Sequence, residues 1–205
     1  MIVENTKVLT RDEISRLLHK LDAELVLHGH RSILYVVGGA NIAMAVDTTR
    51  STTDIDVVVK EGAEAVFAAA KRVAATEPGL GEDWINSQFT ANTDNGGIAW
   101  QWFDNKHLDQ VSVAYEGRGL RVELASAEMM LALKTLARRP QDLPDIYLLM
   151  RMTGINTPEG LGRNLARFTG QRVFDAQGTP GMFLHIDPTF REIFDQAPQD
   201  LSPQR

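Results

Sequence analysis

Residues 36–59 read VVGGANIAMAVDTTRSTTDIDVVV. Two valine-rich runs bracket a glycine pair, Gly38-Gly39, an apolar stretch ANIAMAV and a polar connection, and Asp54 and Asp56 open the second run. The order strand, glycine turn, short helix, strand decides the fold class: a β-branched run ending in glycine suits a buried strand, and ANIAMAV suits a helix packed against it. Side chains at i and i+2 of a strand share a face, so Asp54 and Asp56 stand side by side while Ile55 points away. Carboxylates are costly to bury, so two of them at the mouth of an apolar strand need a physical reason.

Working outward, Thr10 and Glu13 have the spacing of a capping box, and Ile14, Leu17, Leu18, Leu21 and Leu25 recur at helical period, which predicts a helix over about 11–28. SILYVV (32–37) is the strand that enters the glycine pair, and GAEAVFAAAKRVAA (62–75) follows the aspartate strand as a second long helix. The segment 86–107 has no steady period and is rich in Asn, Asp, Gly and aromatics, which is long for a passive connection. QVSVAY (110–115) and LRVELA (120–125) predict a hairpin across EGRG. Ser126 then caps AEMMLALKTLARR, Pro140 ends it, and Asp142 and Asp145 have the N-cap and N3 spacing of a further helix. Thr157-Pro158 and Asp187-Pro188 each predict another helix start, and the last residues read as a loose tail.

The 205 residues are 43% apolar and 23% charged, enough for a sizeable core and unlike a disordered chain. No cysteine is present, so disulfides, thiolate zinc sites and cysteine nucleophiles are excluded. The start lacks a signal-peptide pattern and no run approaches a membrane span, which predicts a cytoplasmic protein without a membrane partner. A formal net charge of −6 argues against broad charge-driven adhesion to nucleic acid, though not against a local basic pocket.

Two adjacent carboxylates repel unless a cation lies between them or one is protonated. Hard oxygen donors suit Mg2+ or Mn2+, which bind through one or two carboxylates plus substrate phosphates. A solvated pair at a strand's edge is the plain alternative. Gly38 and Gly39 add weight to the metal reading, because a strand that ends in small residues and enters a helix exposes backbone N–H groups and a positive helix end, where phosphates bind. By itself such a turn also suits any α/β fold, and the spacing does not match a dinucleotide-binding fingerprint.

Together these elements resemble the nucleotidyltransferase superfamily related to DNA polymerase beta, whose signature is an apolar strand, Gly-Gly or Gly-Ser, a short helix and Asp-h-Asp with h apolar. Here VVGGA and TTDIDVV match, with 14 residues between Gly39 and Asp54. More narrowly, GGANIAMAV, RSTTDIDVVV, DWIN, LRVELASAEMMLALKTLARRPQDLPDIYLL and GINTPEGL are similar to a bacterial group of uncharacterised nucleotidyltransferase-like proteins akin to the abortive-infection type toxins of toxin–antitoxin pairs. The likeness covers about residues 30–160.

The resemblance implies a minimal nucleotidyltransferase fold of α/β (α+β) class: a small mixed sheet flanked by helices over 1–152, with a helical C-terminal extension and tail over 153–205. It implies transfer of a nucleoside monophosphate from a nucleoside triphosphate to an RNA, protein or small-molecule acceptor, with Mg2+ or Mn2+ held by Asp54 and Asp56, and a cognate antitoxin or toxin protein as a possible partner. A third carboxylate is expected from a neighbouring strand. Glu123 is the candidate, with Asp109 as the alternative, and Glu123 also reads as a surface residue. Lys134 sits in an apolar helix, where its amine either snorkels to water or reaches the triphosphate. Arg138, one turn on, adds a second positive group; Gly38, Gly39, Arg50, Thr53 and Asp142 complete the expected nucleotide-binding set. The competing expectation is a non-catalytic nucleotide-binding or antitoxin-like protein that keeps the fold.

Overall fold

The computed structural model describes residues 7–87, 111–137 and 139–169, together with Ile193 and Pro198. Helix α1 (Arg11–Leu27) starts where Thr10 accepts the Glu13 backbone N–H at 3.3 Å, and it buries Ile14, Leu17, Leu18, Leu21 and Leu25. The capping box is only half formed, because the Glu13 carboxylate turns to Arg16 at 2.8 Å and Lys7 at 3.2 Å. Strand β1 (Ser32–Val36) leads into α2 (Gly38–Ala45), so the glycine pair belongs to the first turn of the helix itself. Strand β2 (Ile55–Glu61), helix α3 (Ala63–Ala74) and the two-residue β3 (Ile85–Asn86) follow, and then the predicted hairpin of β4 (Val111–Glu116) and β5 (Leu120–Ala125).

The five strands form one mixed sheet in the order β3-β2-β1-β5-β4, an α+β arrangement in which β1 pairs antiparallel with β2 and parallel with β5. After α2 the chain returns beside β1 in the opposite direction. The end of β1, the starts of β2 and β3 and the end of β5 therefore meet at one corner of the sheet. One face carries Leu34, Val36, Ile55, Val57, Val122 and Leu124 into the core with the apolar sides of α1 and α3. At roughly 1.5–3 kcal/mol per buried large apolar side chain, this face is the main source of cohesion in the sheet unit.

Polar ties fix the layers. Trp84 donates its indole N–H to the Ala70 carbonyl at 3.0 Å, and Asp22 of α1 accepts the N–H groups of Gly119 and Leu120, each at 2.7 Å, in the β4-β5 turn. Glu77, buried after α3, binds Arg16 at 2.7 Å, Lys7 at 3.2 Å and Lys20. The Arg16 hydrogen bond, followed by that of Lys20, holds its carboxyl far below the usual glutamate range.

By its contacts the chain divides at the end of β5: Met1–Phe89 with Gln110–Ala125 form one compact unit, and Thr90–Asp109 with Ser126–Arg205 form the other. In the second unit α4 (Ala127–Ala137) begins at Ser126, whose hydroxyl accepts the Met129 N–H at 3.2 Å. Residues 129–135 of α4 are all buried, as a helix apolar on every side requires, and α5 (Leu143–Thr153) and α6 (Pro158–Thr169) pack against it. Gly154 ends α5 in the left-handed conformation, and Thr157 caps α6 as predicted, accepting the Gly160 N–H at 3.0 Å. No described helix is long and apolar enough to cross a membrane. The predicted helix at Asp187-Pro188 and the 88–107 part of the Asn-rich segment lie outside the described residues.

Candidate functional site

In β2 the residues Ile55 and Val57 are fully buried, while Asp56, Val58 and Lys60 alternate onto the other, partly exposed face. Asp54 lies in the bend just before the strand and is, like Asp56, half-buried. The i and i+2 strand alternation expected of the two aspartates is not complete: only Asp56 belongs to the strand, and Asp54 is positioned by side chains. Asn86 donates its amide N–H to Asp54 Oδ2 at 3.1 Å, and the Thr52 hydroxyl donates to Oδ1 at 3.3 Å. Thr52 is itself held by a two-way backbone bridge to Leu9, with N···O distances of 2.7 and 3.1 Å.

The glycine pair meets the aspartates directly. Gly38 has φ +67°, where an L side chain is strained, and any Cβ there would collide with the carboxylate of Asp56. A Cβ on Gly39 would lie 3.0 Å from Thr52 Oγ1. Gly38 is therefore the stricter glycine, and its backbone is approached by Asp56. Asn41, buried one turn into α2, donates to the carbonyls of Val36 at 3.0 Å and Ala125 at 3.1 Å, fixing the start of α2 to the ends of β1 and β5. These contacts place Gly38, Gly39, Asp54, Asp56, Thr52, Asn41 and Asn86 at one corner. A groove of about 330 Å³, walled by Phe67, Lys71, Asp83 and Ile85, opens beside Asn86.

Glu123 is not brought to the pair. Val36 is in register with both Val57 and Leu124, so Asp56 is level with Ala125 across β1, and Glu123 lies two residues away along β5. Two strand spacings and two residue rises put their backbones roughly 12 Å apart. Glu123 is nearly buried and binds Lys60 at 2.6 Å and Arg121 at 2.8 Å. Burial works to raise its pKa, and the hydrogen bonds from Lys60 and Arg121 outweigh burial and hold it below the usual range. Lys60 also lies 5.3 Å from the centre of the Tyr35 ring, whose phenol is pushed up by its own burial and then by Glu123. Asp109 lies outside the described residues.

Arg50 is half-buried in the loop before β2, its backbone N–H bonded to the Asp47 carbonyl at 3.0 Å, and Thr53 is exposed. The neighbouring Thr52, which the sequence reading passed over, is the threonine that touches Asp54.

Lys134, Asp142 and Asp145 form a group within the second unit. The amine does not snorkel: the side chain is 9% exposed, with Nζ 2.6 Å from Asp142 Oδ1 and 3.0 Å from Asp145 Oδ2. Asp142 occupies the N-cap position of α5 but makes no side-chain cap; its carboxylate turns to Lys134 and to Arg139 Nε at 2.7 Å. Burial would raise the Asp142 pKa, yet hydrogen bonds from Arg139 and Lys134 together hold it below the usual aspartate range. Arg138 lies outside the described residues.

The donor set at the corner suits a hard divalent cation: the carboxylates of Asp54 and Asp56 are both half open to solvent, and Asp54 is backed by a hydroxyl and an amide. Among the described residues there is no group of three or more His, Cys, Asp or Glu that could hold a metal ion. No family model, curated protein or solved structure matches the chain.

Proposed function

We propose that the protein is a metal-dependent nucleotidyltransferase that moves a nucleoside monophosphate from a nucleoside triphosphate to an RNA, protein or small-molecule acceptor, in the setting of a toxin–antitoxin pair. The observation that carries this reading is the corner itself, where the Asp56 carboxylate packs on the Gly38 backbone and Asp54 is aimed by Asn86 and Thr52. A divalent cation bound there would neutralise phosphate charge and polarise the α-phosphorus towards attack. Asp54 and Asp56 would hold it, and the first turn of α2 would lie beside the phosphates. In the transfer an acceptor oxygen bonds to the α-phosphorus as the bond to the β-phosphate oxygen breaks, pyrophosphate leaves, and the acceptor's proton passes to solvent or a nearby base. The groove beside Asn86 has room for part of a substrate.

A second reading, a nucleotide-binding or antitoxin-like protein without transferase activity, is favoured by one observation. Both further groups expected to act in catalysis, Glu123 and Lys134, are committed to ion pairs. Incubating the purified protein with each α-labelled nucleoside triphosphate, Mg2+ and a cell extract separates the two. Label in an RNA, protein or small-molecule fraction, reduced at least about a hundredfold by Asp56→Asn, supports transfer. Nucleotide binding without label transfer supports the second reading.

A further inference from the structure

The chain that precedes α1 is fastened to the corner. Leu9 and Thr52 exchange both backbone hydrogen bonds, the Leu9 N–H to the Thr52 carbonyl at 2.7 Å and the Thr52 N–H to the Leu9 carbonyl at 3.1 Å. The Leu9 side chain is fully buried in the core, and Thr10 directly after it caps α1. Before it, Lys7 donates its backbone N–H to the Gly79 carbonyl at 2.9 Å and its amine to Glu77 at 3.2 Å. Residues 7–10 thus form a strap held on both sides of the bridge. In the loop that leads to β2, Thr48, Thr49, Ser51 and Thr53 are exposed, whereas Thr52 is half-buried. Its hydroxyl donates to Asp54 Oδ1 at 3.3 Å and packs beside Gly39, where a Cβ would come within 3.0 Å of Oγ1.

Resting on the functional reading above, we propose that Thr52 is a positioning residue that couples the N-terminal strap to the corner: the strap fixes its backbone, and its hydroxyl carries that restraint to Asp54. A hydroxyl on a loop orients a carboxylate only as well as its own backbone is held. The two backbone bonds to Leu9, a residue anchored in the core, supply that hold. The coupling is reciprocal: if the strap favours the ligand-binding position of Asp54, a ligand on Asp54 favours the closed strap by the same factor. Opening of the Leu9–Thr52 bridge is then rarer when the corner is occupied.

The test follows amide hydrogen exchange of Leu9 and Thr52 by NMR in the full chain, with and without saturating Mg2+ and an equimolar mixture of the four ribonucleoside triphosphates. The thermal midpoint reports separately whether these ligands bind. Thr52→Ser keeps the hydroxyl, and Thr52→Val keeps the shape and the backbone bridge without it. In wild type and Thr52→Ser the ligands are expected to slow both amides at least about fivefold more than they slow Leu17 and Leu21 of α1. In Thr52→Val, melting normally without ligand, that extra slowing is expected to vanish and the affinity for metal and nucleotide to fall by about tenfold. Equal extra slowing in all three proteins, or none in a wild type whose midpoint rises with ligand, overturns the coupling and leaves the functional reading standing. A Thr52→Val that melts earlier without ligand yet keeps the extra slowing also overturns it, because Thr52 then serves folding alone. A wild-type midpoint that does not respond to metal and nucleotide overturns the functional reading and the coupling with it.

Discussion

The aspartate corner and the Lys134 cluster both gather carboxylates, and they treat the charge in opposite ways. In the second unit Asp142 and Asp145 are almost wholly buried, with an ammonium between them and a guanidinium on Asp142. At the corner, Asp54 and Asp56 are half-open, and Asp54 is supported only by a hydroxyl and an amide among the described residues. A buried group of carboxylates has to carry its own cations, because the cost of an unpaired buried charge exceeds what packing returns. A half-solvated carboxylate such as Asp54, held by a hydroxyl and an amide, is under no such demand. The same residue type thus serves cohesion in one place and, on the proposed function, ligand capture in the other.

The sharpest way to break that contrast is Lys134→Met. It removes the ammonium that bonds two buried carboxylates, and the expected loss is about 3–5 kcal/mol in urea-induced unfolding, an effect on stability as well as on any activity. If Lys134→Met unfolds at the wild-type urea concentration, the cluster does not hold the second unit together. Gly38→Ala comes next. Placing an L residue at φ +67° costs about 1–2 kcal/mol, and its Cβ would displace the Asp56 carboxylate, so metal-dependent nucleotide binding should fall with stability. Gly39→Ala, whose Cβ meets only Thr52, should cost less; the reverse order would remove the close approach of Asp56 to Gly38 from the account.

Acid distinguishes the regions further. The pKa values of Glu77 and Asp142 are depressed in the folded protein, so each contributes stability that is present above its ordinary value, 4.5 and 3.8, and is lost as pH falls through its folded value. Glu77→Gln should cost about 1–2 kcal/mol at neutral pH and nothing at the acid end, which makes its melting curve less steep in pH than that of wild type. Parallel curves would show that Glu77 is not preferentially ionised by its three basic neighbours.

Much of the corner was legible in the sequence because its signals are local. The strand–glycine–helix order, the Asp-x-Asp alternation with buried Ile55 and Val57, and the caps at Thr10, Ser126 and Thr157 all lie within a few residues of one another. What could not be read depends on contacts between distant positions. Lys60 and Glu123 are far apart in the chain, and nothing in LRVELA says that its glutamate is already neutralised. Asp142 has the spacing of a helix cap, but a buried ammonium outcompetes the backbone N–H for its carboxylate. Asn86 sits in DWIN, a stretch noticed for its resemblance, and only the β2-β3 register reveals what its amide touches.

The smallest expected effect on stability belongs to the aspartates, and it tests the central claim most directly. Asp56→Asn changes one half-exposed side chain, so its unfolding free energy without metal should lie within about 1 kcal/mol of wild type. The decisive measurement compares the midpoints of wild type and Asp56→Asn with and without Mg2+ and nucleoside triphosphate. The account predicts a clear rise for wild type only when metal and nucleotide are added together, and none for Asp56→Asn. An equal rise in both proteins would contradict it, because the nucleotide would then bind without the carboxylate pair.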